Sequence, residues 1–387
     1  MRVTYVTHTR FPTEKAHGHQ IAQVCDALAR LGHEVTLVAP TITRNITDDP
    51  HEYYGLKPSF TVVHLPNFDA LNSKLVPGPL SFEVSMWSYR QHLWHFLRDH
   101  QCDVLYARSP VLLRPLIRSG HRVILELHTL PRIAGRFFTR LCNHCDRVVC
   151  LTTPMRDDLV RRGVDAARCV VESDGVDLDR YAALPSLTEA KKKWSLPVDR
   201  LIAGYVGSLV ARNTLEKGVD VFICALSLLH IDGHPVFGWI VGGPEDWQVR
   251  YQVLARELGL TEEHIRFHPR VSAADVPAAI AASDLCVYPA PATDHPFFLR
   301  DTSPLKLFEY LAAGKPVVCA DIPPLRDIVD TDSVELCRPG DPRSLADAIV
   351  AIITDPATAA RRTEAGREIA RRHSWTARMQ RILALRP

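Results

Sequence analysis

The sequence predicts an α/β protein built from two doubly wound domains in tandem, and three observations predict it. A chain of 387 residues exceeds one ordinary core and suits two domains of common size. Short apolar runs alternate with helix-period stretches, as buried parallel strands alternate with their crossover helices. The alternation loosens once, between about Ser173 and Arg200, and then starts again.

In the first half, strands are expected at "RVTYVT", "EVTLVAP", "DVLYAR", "RVILELH" and "RVVCLT". A helix from Gln20 to Leu31 stops at Gly32, where a left-handed C-cap is expected, and joins the first two strands as a βαβ unit. The stretch "MWSYRQHLWHF" reads as a core helix. These elements make a first domain over residues 1–172. The segment 173–199, with its prolines and lysine run, is placed as an interdomain linker. The second domain, 200–373, runs through "LIAGYVGSL", a helix from about Gly218, "FGWIVGG", a helix through "QVLARELGL", "IRFHP", a helix to Ala282, "DLCVYPA", a further helix and "PVVCAD". A last helix, about 374–387, is expected to pack back on the first domain.

Composition narrows the classes. With 46% apolar residues, 23% charged and a formal net charge of +2, the chain carries no bulk attraction to nucleic acid. Its ten cysteines sit in apolar stretches and read as core residues of a protein in a reducing cytoplasm. Cys142 and Cys145 have metal-site spacing, but no second pair follows at the distance a zinc site needs, so no metal is expected. No apolar run approaches the roughly 20 residues of a membrane span, and no signal for export is evident.

In open α/β sheets, ligands sit beyond the carboxyl ends of the strands. After "AGYVG" comes a loop with Arg212 and Lys217, and then Gly218 opens a helix. Free N–H groups, the helix dipole and nearby cations make this an anion site, with phosphate the natural guest; a solvated loop lysine is the plain alternative. The stretch "DTSPLKLFEYLAAGKPVVCAD" poses a sharper question, because Lys306 and Glu309 stand on a helix that otherwise reads as buried. Ser303 is expected as its N-cap, Pro304 as its first residue and Gly314 as its stop. Leu305, Phe308 and Leu311 fall on one side; Lys306, Glu309 and Ala313 fall on another. An exposed ion pair is the ordinary explanation. The alternative places the helix start at a strand-end cleft, where Glu309 accepts both hydroxyls of a ribose diol while Lys306 and the N–H groups near Ser303 meet phosphate or sugar oxygens.

The run "SPLKLFEYLAAGKPVV", with "GYVGSL", "EKGVDVFICAL", "WIVGGPED", "RVSAADVPAAIAASDLCVYPA", "SDGVDLDRY" and "RLGHEVTLVAP", resembles glycosyltransferase family 4, retaining enzymes of GT-B fold, over nearly the whole chain. The resemblance implies two Rossmann-like domains facing a central cleft, the first for the acceptor and the second for a nucleotide sugar. It implies that Glu309 binds ribose and that Asp301, one methylene shorter than the usual glutamate, contacts the donor sugar. Lys217 matches the diphosphate lysine, while Ser208 stands where a basic residue often follows the strand-end glycine. Donor binding is carried over to Gly18, Gly207, Ser208, Arg212, Lys217, Gly218, Gly243, Ser303, Pro304, Leu305, Lys306 and Glu309. His128 matches a histidine near the reaction centre, so His128, Lys217, Asp301 and Glu309 are the expected catalytic set. His17 and His19 flank Gly18 and read equally as surface residues.

The expected reaction is therefore transfer of a sugar from a nucleoside-diphosphate sugar to a glycan, lipid-linked or small hydroxyl acceptor, without a metal cofactor. The aromatic stretch Met86 to Phe96 has a second reading as an acceptor wall. Arg132, Arg136 and Arg140 beside Phe137 and Phe138 read as an ordinary surface or as a peripheral contact with an anionic membrane. The pairs Asp177 with Asp179 and Asp330 with Asp332 lie in loop contexts that argue against a metal-binding role. Competing readings on the same architecture are a sugar-nucleotide epimerase, a phosphorylase-type enzyme and a non-catalytic nucleotide-sugar sensor. A nicotinamide enzyme is disfavoured, because no glycine-rich dinucleotide loop follows the first strand.

Overall fold

The structure is a computed structural model that describes residues 1–42, 46, 48–70, 78–131, 135–211 and 214–384. The chain forms two compact units, residues 1–174 with 375–387, and residues 175–374.

The first unit is built on a seven-stranded parallel sheet of β1 (Arg2–Val6), β2 (Glu34–Pro40), β3 (Thr61–Leu65), β4 (Val104–Ala107), β5 (Arg122–Leu127), β6 (Arg147–Cys150) and β7 (Cys169–Val171). Their order is β3-β2-β1-β4-β5-β6-β7. The five strands expected from apolar runs are the central ones, buried on both faces by helices. The edge strands β3 and β7 are half-buried, so their sequences lack a continuous apolar run. The order reverses between β1 and β4, and loops leaving those two strands diverge at the carboxyl edge. The stretch "MWSYRQHLWHF" lies in the helix Gly78–Asp99, which buries Met86, Tyr89, Leu93 and Leu97 and leaves Trp87 exposed. The C-terminal helix Trp375–Ala384 belongs to this unit, burying Met379 and Ile382. The Arg147 guanidinium donates to the Ile382 carbonyl near its end.

The first helix begins earlier than expected, at Ala16, so Gly18 lies in its opening turn and not on a loop. A side chain at Gly18 would overlap the Tyr54 hydroxyl and stand 2.9 Å from the Thr13 carbonyl oxygen. Glycine at this position is thus required by the protein's own packing.

The second unit carries a six-stranded parallel sheet and a short hairpin. The sheet strands are β8 (Ile202–Val206), β11 (Phe237–Val241), β12 (Ile265–His268), β13 (Leu285–Tyr288), β14 (Val317–Ala320) and β15 (Glu335–Cys337), ordered β12-β11-β8-β13-β14-β15. Between β8 and the helix Val219–Ile231 the chain forms the antiparallel hairpin β9 (Val210–Ala211) and β10 (Leu215–Glu216). The switch point of this sheet lies between β8 and β13, and the residues that follow those strands build the site described below.

The segment expected as a linker is largely part of this second unit. It holds a 3-10 turn, Leu178–Tyr181, and a helix, Leu187–Lys193, whose capping box joins Ser186 and Glu189. Tyr181, Ala190 and Leu196 enter the hydrophobic core. Within the lysine run, Lys191 is buried, with its amine 2.8 Å from the Arg200 carbonyl and 2.8 Å from Asp284. Apolar residues at helical spacing among the charges, too sparse to stand out in the sequence, hold the segment down.

The two strand-end glycines Gly207 and Gly242 lean on each other. Both have φ 150°, and a Cβ on Gly242 would overlap the Gly207 carbonyl oxygen. Gly242→Ala is expected to cost roughly 2–4 kcal/mol, the sum of a backbone conformation that L side chains rarely adopt and a steric clash. Denaturant unfolding checks this, and a midpoint within error of the parent's would remove the packing argument. Among the described residues, no helix is long and apolar enough to cross a membrane.

Candidate functional site

Where β8 ends, its last residues are fixed from the neighbouring helix Leu305–Ala312. The Tyr310 hydroxyl accepts from the Val206 N–H at 2.8 Å and donates to the Val206 carbonyl at 3.0 Å. Lys306, one turn earlier on that helix, donates from its amine to the Tyr205 hydroxyl, and that hydroxyl donates in turn to the Ser208 carbonyl at 2.6 Å. The amine also lies over the Tyr205 ring, 3.8 Å from its centroid. The Lys306 stem passes Gly207 so closely that a Cβ there would stand 3.1 Å from Cε. The φ of 150° at Gly207 already favours glycine, and the lysine stem leaves little room for a side chain there.

The next component is Lys217, between β10 and the helix Val219–Ile231. Gly218 caps this helix in a left-handed conformation, φ 78°, and a Cβ on it would stand 2.8 Å from the Ala290 backbone, just beyond β13. The helix start and Lys217 are in this way anchored at the switch point. Burial pushes the Lys217 amine down to about 8. Lys306 is held well below the ordinary lysine range by burial and then by repulsion from Lys217, with Glu309 acting in the opposite sense. Lys306 is thus a buried amine that feels the charge of a half-buried Lys217.

Glu309 stands one turn after Lys306. Burial raises its pKa, while Arg180, the Tyr181 hydroxyl and Lys306 favour the charged form. Arg180 is tied to the Ala273 carbonyl, so its guanidinium is fixed rather than roaming. Lys306 and Glu309 are thus not the exposed pair of the ordinary explanation: Lys306 is buried and Glu309 half-buried.

Several expected residues are placed differently. The helix starts at Leu305, with Pro304 extended at the N-cap position (φ −89°, ψ 105°) and no side-chain cap. Ser303 is accordingly not the N-cap and Pro304 not the first helical residue. Proline forces its predecessor towards extended backbone, and a π-helical turn, Phe297–Asp301, occupies the chain just before. The buried face of the helix is Leu307, Phe308, Tyr310 and Leu311 together with Lys306, while Leu305 is only half-buried. Asp301 is buried and bound on both oxygens by Arg300, at 2.7 Å and 3.2 Å, an arginine that the sequence did not single out. The Ser208 hydroxyl donates to the Val210 carbonyl at 2.6 Å and so serves the turn. Gly243 has room for a side chain; the demanding glycine of that pair is Gly242. Arg212 lies outside the described residues.

In the first unit, Glu126 and His128 stand at the end of β5. His128 Nε2 is 2.6 Å from Glu126 Oε1, which also accepts from Gln20 Nε2 at 2.7 Å. Glu126 Oε2 accepts from the Tyr106 hydroxyl and lies 3.1 Å from the Arg378 guanidinium. Burial opposes charge on Glu126, but Arg378 and then His128 and Tyr106 outweigh it and hold the carboxyl well below the usual range. Burial lowers the His128 pKa, followed by Arg108, with Glu126 and Asp174 opposing. His17 is half-buried, and burial and Arg108 push it down to about 4.

Glu126, His128 and Asp174 offer ligand atoms within 4.8 Å of one another. The Arg378 charge already neutralises Glu126, and a divalent ion there would face that guanidinium. Cys142 and Cys145 are buried thiols; burial pushes Cys142 up to about 12 and Cys145 higher, far from the thiolate that zinc needs. Asp177 and Asp330 accept from backbone N–H groups two residues on, as turn caps do. Of the basic face, Arg136, Phe137 and Arg140 are exposed and Phe138 is buried, while Arg132 lies outside the described residues.

Residues 187–369 match the family model for group 1 glycosyl transferases, and residues 18–180 match that for glycosyltransferase family 4. A phosphatidyl-myo-inositol mannosyltransferase of Mycobacterium leprae is 26% identical over 344 residues, 85% of this chain and 86% of the relative. A GDP-mannose-dependent alpha-mannosyltransferase of Mycolicibacterium smegmatis is 25% identical over 347 residues, 85% and 82% of the two chains. The crystal structure of Anabaena HepE in complex with UDP-glucose superposes with a TM-score of 0.71 at 18% identity, covering 99% of this chain and 98% of that one.

Proposed function

Because this chain belongs to the group 1 glycosyltransferases and has their GT-B fold, we propose that it transfers a hexosyl group from a nucleoside-diphosphate sugar to a hydroxyl acceptor, with retention of the anomeric configuration. The observation that carries the reading is the buried Lys306 amine, which lies beside Gly207 at the end of β8 and feels the charge of Lys217 at the start of the helix Val219–Ile231. A diphosphate placed there gains two cations and the start of the helix Val219–Ile231, in a setting poor in water where such interactions count most.

The chemistry follows from charge. As the bond from the anomeric carbon to the diphosphate lengthens, negative charge grows on the departing oxygen and the sugar becomes oxocarbenium-like. Preorganised cations at the oxygen lower that barrier. Lys217 and Lys306 fill the role often given to a divalent ion, so no metal is assigned to the reaction. Glu309, flanked by Arg180 and Tyr181, is assigned to the ribose hydroxyls. His128, at the end of β5, is assigned to a reactant hydroxyl. Retention rests on the family resemblance; same-face attack, with the leaving diphosphate oxygen taking the acceptor proton, fits a site whose cations stand at the leaving group.

The relatives point to both guanosine and uridine donors: one relative is named GDP-mannose-dependent, and HepE is seen with UDP-glucose. The first test is thermal unfolding with GDP-mannose, UDP-glucose and the bare diphosphates, in EDTA. At 100 times the dissociation constant, a true donor adds about 2.7 kcal/mol of stability. Stabilisation by one base with EDTA present is expected. Stabilisation by neither, or only with a divalent ion added, would overturn the assignment. Release of diphosphate only when a hydroxyl acceptor is supplied then separates transfer from epimerisation and from mere binding.

A further inference from the structure

Arg378 is fully buried, yet it is an arginine on a helix that reads as a terminal appendage. Its partners explain the burial. Nε donates to the Ser173 carbonyl at 2.6 Å and Nη2 to the Glu172 carbonyl at 3.3 Å, while Nη2 lies 3.1 Å from Glu126 Oε2. A second arginine of the same helix, Arg381, grips Glu172 with 2.7 Å and 2.8 Å bonds, so the register of the helix is fixed where Arg378 enters.

We propose that Arg378 and Glu126 are positioning residues for His128, making the C-terminal helix part of the reaction machinery: Arg378 holds the Glu126 carboxylate, the carboxylate holds His128 Nε2, and Nδ1 is left as the ring atom that meets a reactant hydroxyl. This rests on the reading of His128 given above.

The geometry supplies the reasons. Glu126 accepts from Gln20, Tyr106, His128 and Arg378, two donors on each oxygen. A carboxylate with four donors cannot swing, and a ring bonded to it at 2.6 Å cannot swing either. Bonded to an ionised carboxylate, Nε2 carries its proton, so in the neutral ring Nδ1 bears a lone pair. A lone pair accepts from a hydroxyl; an imidazolium would not. Burying a carboxylate here without its guanidinium would leave an uncompensated charge, which is why an arginine from 252 positions away is recruited.

The test titrates His128 itself. Charged and titratable groups face it from every side: Glu126 on β5, Asp174 after β7, Arg108 after β4, His17 on the first helix and, through Glu126, Arg378 on the last. The full chain, labelled with nitrogen-15 histidine, is titrated by NMR, with His128→Gln identifying the resonance. Glu126→Gln removes the favourable charge and unmasks Arg378, so the His128 pKa falls by about one unit or more. Arg378→Gln leaves the carboxylate uncompensated, so the His128 pKa rises. The acid limb of kcat moves with each, and kcat falls on the order of 10-fold to 100-fold while nucleotide affinity is kept. A structural role alone would not shift the titration in opposite directions. Should either single variant unfold, the double variant, which removes both charges, carries the test: its kcat falls in the same range while its His128 pKa lies between those of the single variants. Shifts of the same sign, no shift, or an unmoved acid limb in an active enzyme would overturn the proposal. If His128 titrates as stated and no variant, nor the parent, transfers sugar, the network stands and the proposed function has failed.

Discussion

Lys217→Ala is expected to lower kcat/KM for the nucleotide sugar by about 10²–10³-fold, the cost of losing one preorganised donor at a developing oxyanion. The parent protein should also show a linked pH signature. Burial holds the Lys217 amine at about 8 in the folded chain, below its ordinary value of 10.5. Between those two values the unfolded chain binds the additional proton, so stability of the free protein rises as pH climbs from about 8 towards 10.5. Binding has the opposite sign. A diphosphate favours the charged amine, so the complex takes up a proton above about pH 8 and affinity weakens as pH rises through that value. Isothermal titration calorimetry in buffers of different ionisation enthalpy reads that uptake directly. In Lys217→Ala the part due to this residue disappears, and Lys306, itself held below the ordinary range, accounts for the remainder. Unchanged proton uptake in the variant would place the diphosphate elsewhere.

Much of this site was legible because strands buried on both faces write themselves as apolar runs, and strand ends are where ligands bind. Lys217, Gly218, Lys306 and Glu309 could all be found that way, since a charge beside a buried element asks for a reason. The helix at Leu305 shows the limit: serine followed by proline is a good local start signal, yet a π-helical turn upstream moved the boundary. Arg180 and Tyr181 were hidden in a segment that reads as a linker, although "SDGVDLDRY" already carried part of the family resemblance. Gly242 and Gly207 constrain each other across adjacent strands, and no local pattern tells which glycine of "VGG" bears the contact. The hardest case is Arg378 with Glu126. A buried ion pair between residues this distant leaves no periodic trace, and an arginine on an amphipathic terminal helix reads by default as solvent-facing.

Glu309→Gln is the second large effect and separates the sugar-ring assignment from simple charge. A carboxylate can accept from both hydroxyls of a ribose; the amide offers one acceptor and replaces the other with a donor group. If Glu309 binds the ribose, the parent should discriminate against a 2′-deoxyribose donor, because a group placed to accept that hydroxyl is then left unsatisfied. The variant should lose roughly 10–100-fold in kcat/KM with the ribose donor, matching the worth of hydrogen bonds to a charged group. With the deoxy donor it should lose much less, so the ratio between the two donors collapses. The fold should tolerate the change, since burial disfavours the charged form of Glu309 in the first place. Thermal unfolding of the free variant within a few degrees of the parent would establish that the loss is local. A variant that keeps the full preference for ribose would show that the carboxylate does not hold the diol. Glu309 would then be a partner of Arg180 and Lys306, balancing their charges at the helix rather than reading the donor.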